Sequence, residues 1–181
     1  AEKLDIDQLL DRELEHLSGG ELQRVAIAST VLKDADIYMI DEPSSFLDVK
    51  QRLKAGREIQ ALGEDKSVMA VEHDLATLDL ISSGVHIYYG EPAGYGMVSN
   101  MFSTREGINQ YLDGYLPSSN VRFRPNSIEF DRSKRSQVER KPVVFEFPEF
   151  SKDFGEDEFE VEIEGGKIHD EEILAIFGEN G

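Results

Sequence analysis

The chain has 181 residues, no cysteine, and 37 acidic against 19 basic side chains, for a net charge of −18. The missing cysteine excludes disulfides, thiolate zinc sites and cysteine-held iron–sulfur clusters within this stretch, while 39% apolar residues suffice for a packed core. No apolar run reaches membrane-spanning length and Ala1-Glu2-Lys3-Leu4-Asp5 is no signal peptide, so the expectation is a soluble, intracellular protein with one domain, or one and part of another. The acidity argues against bulk electrostatic binding of nucleic acid.

In chain order, residues 5–16 predict a short helix with Ile6, Leu9, Leu10 and Leu14 on one side. Residues 21–33 predict a second helix, with Leu22, Val25, Ala26, Ser29 and Leu32 as its buried stripe. The apolar run from Asp36 to Asp41 fits a buried parallel strand. Asp48 is a plausible N-cap, with Gln51 completing a capping box, and its helix should run to about Leu62 and stop at Gly63. Ser67 to Glu72 predicts another strand, Asp74 caps a helix from Leu75 to about Ser82, and Val85 to Tyr89 predicts a third strand ended by Gly90 and Pro92. Ser103-Thr104-Arg105-Glu106 reads as a capping box opening a helix that Gly114 closes. Residues 35–90 therefore predict a parallel α/β sheet whose strand ends, Asp41-Glu42, Glu72-His73 and Tyr89-Gly90, gather at one ligand-binding rim. Further on, Val143–Phe147 and Glu158–Ile163 alternate like antiparallel strands.

Charge is spread unevenly. Residues 1–120 carry a net −11, residues 121–141 a net +4 and residues 142–181 a net −11. A basic stretch with Pro117, Pro125 and Pro142 at its joints reads as a linker. It is either a solvated loop or a hinge whose arginines grip acidic neighbours.

Four motifs carry chemistry. Ser18-Gly19-Gly20-Glu21 joins a backbone that can approach a ligand closely to a helix N-terminus, which suits phosphate; Ser18 as an ordinary N-cap is the alternative. Asp41 and Glu42 end an apolar strand, where one carboxylate can hold magnesium and the other orient a water for in-line attack; a pair of solvated acids is the alternative. His73 follows a strand and faces the same rim, where an imidazole can hydrogen-bond a terminal phosphate. Ile173 to Gly181 looks like a strand entering a P-loop through Gly178, Glu179, Asn180 and Gly181.

Together with Ser44-Ser45-Phe46-Leu47-Asp48, these motifs resemble, in order and spacing, the nucleotide-binding domain of ABC ATPases. The stretch 41–54, Tyr88 to Gly96, Arg105 to Asn109, Leu112 to Pro117 and Arg122-Phe123-Arg124 resemble the class E ABC family, also called the RNase L inhibitor family. The resemblance implies a P-loop NTPase fold of class α/β, with a partial parallel sheet and helices, then a linker and antiparallel strands opening a second ABC domain. It implies the later half of a first nucleotide-binding domain at 1–116, a hinge at 117–142 and the start of a second domain at 143–181. The first domain's own P-loop is expected to be missing and the second cut before its lysine.

The family is a cytoplasmic twin-domain ATPase that splits ribosomes after termination. The implied cofactors are ATP and Mg2+, with [4Fe–4S] clusters in an N-terminal domain of the parent and not in this chain. Implied partners are the small ribosomal subunit, termination and initiation factors and the other ABC domain, with no membrane. By the same resemblance, Asp41 would hold Mg2+, Glu42 would polarise the attacking water and His73 would contact the γ-phosphate. Ser18, Gly19, Gly20 and Glu21 would act across the interface on ATP held by the second P-loop, which Gly178 to Gly181 begin. Asp48 would couple the two sites, and Arg122 and Arg124 would hold the domains together. The alternatives are an ATP-binding subunit of a membrane transporter, a DNA-repair ATPase of the Rad50 kind and, for the chain by itself, a catalytically inactive structural fragment.

Overall fold

A computed structural model describes residues 2–129, 141–155, 160–176 and 178. The chain divides into two compact units, Ala1–Glu129 with Gly178–Gly181, and Phe130–Phe177.

The first unit opens with three 3-10 turns, Glu2–Leu4, Asp7–Leu9 and Leu14–His16, the last two falling where the apolar spacing predicts an α-helix over 5–16. Asp5 adopts a left-handed φ of 51°, which breaks any helix at its start. The turns let Leu4, Ile6 and Leu9 pack with Ile27, Leu47 and Ala55, while Leu10 and Leu14 stay exposed. Tertiary packing overrides the local period, and an ion pair from Lys54 to Asp5 fastens the segment.

Helix α1 (Gly19–Val31) forms, but its buried face is Arg24, Ile27 and Ala28 rather than the expected stripe. Leu22, Ala26, Ser29 and Leu32 are exposed, and Val25 is half-buried. Small and apolar residues surround this helix, so periodicity alone does not choose the face.

Strand β1 (Ile37–Asp41) pairs in parallel with β2 (Ser67–Val71), with Ile37 opposite Ser67 and Asp41 opposite Val71. Tyr38 is buried, whereas Ile37 and Met39 are exposed, so the strand is covered on one face only. Between them runs α2 (Val49–Asp65), which passes through Gly63 instead of stopping there. Only half of the expected box at its start forms: Asp48 accepts from the Gln51 amide at 2.8 Å, while the buried Gln51 Oε1 finds no hydrogen-bond partner among the described residues. Helix α3 (Leu75–Ile81) is capped by Asp74 as its sequence predicts.

The third parallel strand is not formed. Val85 belongs to β3 (Gly84–Val85), which pairs antiparallel with β6 (Phe102–Ser103), and β4 (Tyr88–Glu91) forms a hairpin with β5 (Tyr95–Val98). The pairing partners lie close by in sequence, so local antiparallel ladders take the hydrogen bonds a crossover would have used. Ile87, Phe102 and Leu116 make a second small core beneath them.

Helix α4 (Thr104–Asp113) starts at Ser103 without a side-chain cap bond; Glu106 accepts instead from Gln110, so the expected box is absent. Gly114 does close the helix, at φ 68°. Strands β7 (Tyr115–Leu116) and β8 (Val121–Arg122) then pair, and the Ile128 amide donates to Leu112 O at 2.8 Å. The start of the basic stretch, residues 121–128, thus lies against the end of α4.

In the second unit, β9 (Val143–Phe147) pairs antiparallel with β12 (Gly166–His169), and β10 (Phe150–Asp153) with β11 (Glu160–Ile163). Residues 172–176 form no strand, and Ile173 and Ile176 are almost fully exposed. A strand needs a neighbouring ladder to satisfy its backbone, and among the described residues no strand pairs with this segment, whose Glu172 amide turns back to His169 O at 3.3 Å.

Candidate functional site

The site grows from the carboxyl ends of the two parallel strands. In-register pairing brings Asp41 beside Val71, and the Glu42 amide extends the ladder to Val71 O at 2.9 Å. Glu42 then turns sharply, with a φ of 45° that a residue with a Cβ seldom adopts. This places its carboxylate against His73, whose Nε2 lies 3.4 Å from Glu42 Oε1, with both side chains at least half exposed. Ser45 Oγ donates to the other oxygen at 3.0 Å. Asp41, Glu42 and His73 therefore share one rim, as the strand ends predict. The Tyr89-Gly90 end does not, because it belongs to the separate hairpin.

Glu72, which sequence reasoning placed only as a rim acid, organises the loop. Its carboxylate accepts from the amides of His73 at 2.8 Å, Asp74 at 2.9 Å and Ser44 at 3.3 Å. These bonds pin the loop after β1 to the loop after β2. Arg52, on α2, donates to Leu47 O at 2.8 Å and pairs with Asp74 at 3.1 Å. Neither residue carried a motif; an acid beside a strand-end histidine is the one signal that pointed to Glu72.

The serine–glycine corner is a complete capping box. Ser18 Oγ accepts from the Glu21 amide at 3.3 Å, and the Ser18 amide donates to Glu21 Oε2 at 2.8 Å. That bond holds the Glu21 carboxyl below the usual range, aided by Arg12 at 3.4 Å. The N-cap reading of Ser18 is therefore realised. It leaves the amides of Gly19 and Gly20 without intrahelical acceptors, at the positive end of a 13-residue helix. Gly20 also has an internal reason to be glycine: a Cβ would sit 2.9 Å from the carbonyl oxygen of Phe46. The corner is thus seated on the loop that follows Glu42.

Asp48 spends one oxygen capping α2. Gly178 has open space where a Cβ would stand, and Glu179, Asn180 and Gly181 lie outside the described residues. Arg122 and Arg124 reach backbone carbonyls instead of acidic neighbours: Arg122 donates to Asp113 O at 3.3 Å and Arg124 to Leu112 O at 2.9 Å, with their guanidinium groups over Tyr115 and Tyr111.

Among the described residues no three His, Asp or Glu side chains converge as a metal cage. Magnesium is commonly held by one or two carboxylates plus substrate phosphates and water, so an exposed strand-end Asp41 fits an ion arriving with a triphosphate better than a stand-alone site. Free helix-end amides suit the anion itself.

A family model described as ABC transporter matches residues 1–45. The translation initiation factor RLI1 of Chaetomium thermophilum is 46% identical over 181 residues, covering 98% of this chain and 29% of that protein. The archaeal ribosome recycling factor aABCE1, in a crystal structure with the archaeal ribosomal stalk protein aP1, matches at 48% identity and a TM-score of 0.87, covering 99% of this chain and 34% of that one. A chain from a model of ribosome-bound archaeal Pelota and ABCE1 matches at 48% identity and a TM-score of 0.92, covering 99% of this chain and 30% of that one. The chain thus spans 29% of the length of the first curated relatives it matches.

Proposed function

The chain belongs to the class E ABC ATPase family, the RNase L inhibitor family, and from that premise we propose that it is part of a twin-domain ATPase coupling ATP binding and hydrolysis to the splitting of ribosomal subunits. The observation that carries the reading is the shared rim of Asp41, Glu42 and His73 beside the serine–glycine corner. Residues 1–116 are read as the later half of one nucleotide-binding domain, 117–142 as the hinge and 143–181 as the start of the second. The identity of 46% to a translation factor over essentially the whole chain favours this reading over a membrane-transporter subunit.

In this reading Glu42 accepts a proton from, or orients, the attacking water, and His73 donates toward the terminal phosphate while its contact with Glu42 holds both side chains in line. Asp41 holds Mg2+, which when bound neutralises phosphate charge as it develops. The Gly19 and Gly20 amides and the Ser18 hydroxyl bind the phosphates of a second ATP, whose own P-loop begins at Gly178 to Gly181. Domain closure then depends on the γ-phosphate bridging two surfaces, and hydrolysis removes that bridge.

The partners are the small ribosomal subunit with termination and initiation factors, and the location is the cytoplasm. The [4Fe–4S] clusters belong to another part of the polypeptide, since this chain has no cysteine. No G-x-x-x-x-G-K-[ST] sequence occurs within these 181 residues, so the chain by itself is expected to be catalytically silent. The test uses the full-length protein. Replacing Glu42→Gln should lower ATP turnover about 100-fold or more while ATP still binds. Turnover at the wild-type rate in that variant would remove Glu42 from the chemistry.

A further inference from the structure

We propose that Gln23 is a positioning residue for Glu42, coupling the serine–glycine corner of α1 to the carboxylate at the end of β1. The inference rests on the reading of Glu42 as the residue that activates water. Gln23 Nε2 donates to Glu42 O at 3.2 Å and to Pro43 O at 3.4 Å, bridging from α1 to the loop across 19 and 20 residues of sequence.

Those carbonyls belong to the turn in which Glu42 takes its left-handed φ of 45°. A backbone in that region persists when its surroundings over-determine it. Here the Glu42 amide is tied to Val71 O, the Glu42 carbonyl receives the Ser45 amide at 3.1 Å, and Gln23 supplies a side-chain donor from a different element. Ser45 and His73 then aim the carboxylate, at 3.0 and 3.4 Å.

Gln23 is also well placed to transmit movement. It lies three residues after Gly20, on the same side of α1, and Gly20 is seated on Phe46 O so closely that a Cβ would stand 2.9 Å from it. The side of α1 that follows the corner thus grips the Glu42–Phe46 loop at two points. A displacement of the corner when it engages phosphate would be carried to Glu42, which belongs to the other nucleotide site. Gln23 touches no reacting atom in this scheme; it acts through Glu42.

The experiment measures steady-state ATP hydrolysis by the full-length protein carrying Gln23→Met, Gln23→Lys, Glu42→Gln, or Gln23→Met with Glu42→Gln. Methionine keeps the length of the side chain and removes the donor, whereas lysine keeps a donor. The expected result is a fall in kcat of about tenfold for Gln23→Met with KM for ATP unchanged, the loss of roughly one hydrogen bond felt at the chemical step. Gln23→Lys should recover part of the rate, and Gln23→Met should cost nothing further in the Glu42→Gln background. An unchanged kcat in Gln23→Met, while Glu42→Gln abolishes turnover, overturns the inference and leaves the reading of Glu42 intact. Turnover at the wild-type rate in Glu42→Gln overturns that reading itself. A Gln23→Lys protein as slow as Gln23→Met, or a lower rate with a matching fall in melting temperature, shows a packing role and also overturns the inference.

Discussion

Asp74 shows how much one carboxylate organises at this rim. Its Oδ1 accepts from both the amide and the hydroxyl of Thr77 at 2.8 Å, capping α3, and its Oδ2 pairs with Arg52 at 3.1 Å. Partial burial pushes its pKa up, but the Thr77 bonds and the Arg52 charge outweigh that and hold the carboxyl below the ordinary aspartate range. A depressed folded pKa means the ionised form stabilises the fold above the unfolded value, and that contribution is lost as pH falls through the folded one. Melting temperature measured against pH should therefore drop below about pH 4. Asp74→Asn keeps a capping oxygen and should show a shallower acid decline, while Asp74→Ala should cost about 1 kcal/mol at neutral pH. An acid profile unchanged in Asp74→Asn would assign the decline to other carboxylates. The cap was legible from Asp74 preceding an apolar run; the pairing with Arg52, 22 residues away, was not, because nothing in the spacing of two charges says they will meet.

Among the elements, helices with a polar cap and strands with clear bounds followed their sequence, and failures fell where two signals competed. Gly63 was expected to end α2, yet the helix continues to Asp65 because the following strand β2 begins only at Ser67. A glycine within a helix costs conformational entropy, and nothing lies within 4 Å of where its Cβ would stand. Gly63→Ala should accordingly stabilise the protein by about 0.5–1 kcal/mol, read as a rise in denaturant midpoint at constant slope. A fall would mean that the glycine serves the helix end after all. The hairpin β4–β5 makes the opposite point: Val85 to Tyr89 has the apolar look of a parallel strand, but Pro92-Ala93-Gly94, with Ala93 at a left-handed φ of 60°, make the turn for a local ladder. A short apolar run does not state the direction of its partner.

For the whole molecule, charge and connectivity matter most. A net charge of −18 opposes bulk binding of RNA, so on the proposed reading any contact to ribosomal RNA would fall to local basic residues. Within residues 121–141, Arg122 and Arg124 are engaged with α4, whereas Arg135 lies outside the described residues. On the proposed reading, Arg135→Ala in the full-length protein should reduce the salt dependence of ribosome binding by about one unit of log–log slope, and Arg124→Ala should instead lower the melting temperature by weakening the end of α4. Sedimentation across a salt series, paired with thermal melts, separates the two; a salt slope altered by Arg124→Ala alone would reverse the assignment. The amino-acid sequence by itself determined the serine–glycine, acid-pair and histidine motifs, the caps at Ser18, Asp48 and Asp74, and the family resemblance, since these depend on local chemistry at short spacing. Only the tertiary structure decided which face of α1 is buried, that Glu72 clamps two loops, and that Gln23 and Gly20 lock the corner to the Glu42 loop. Those contacts join residues about 20 or more positions apart, and such closure is set by the packing of whole elements, which no local pattern encodes.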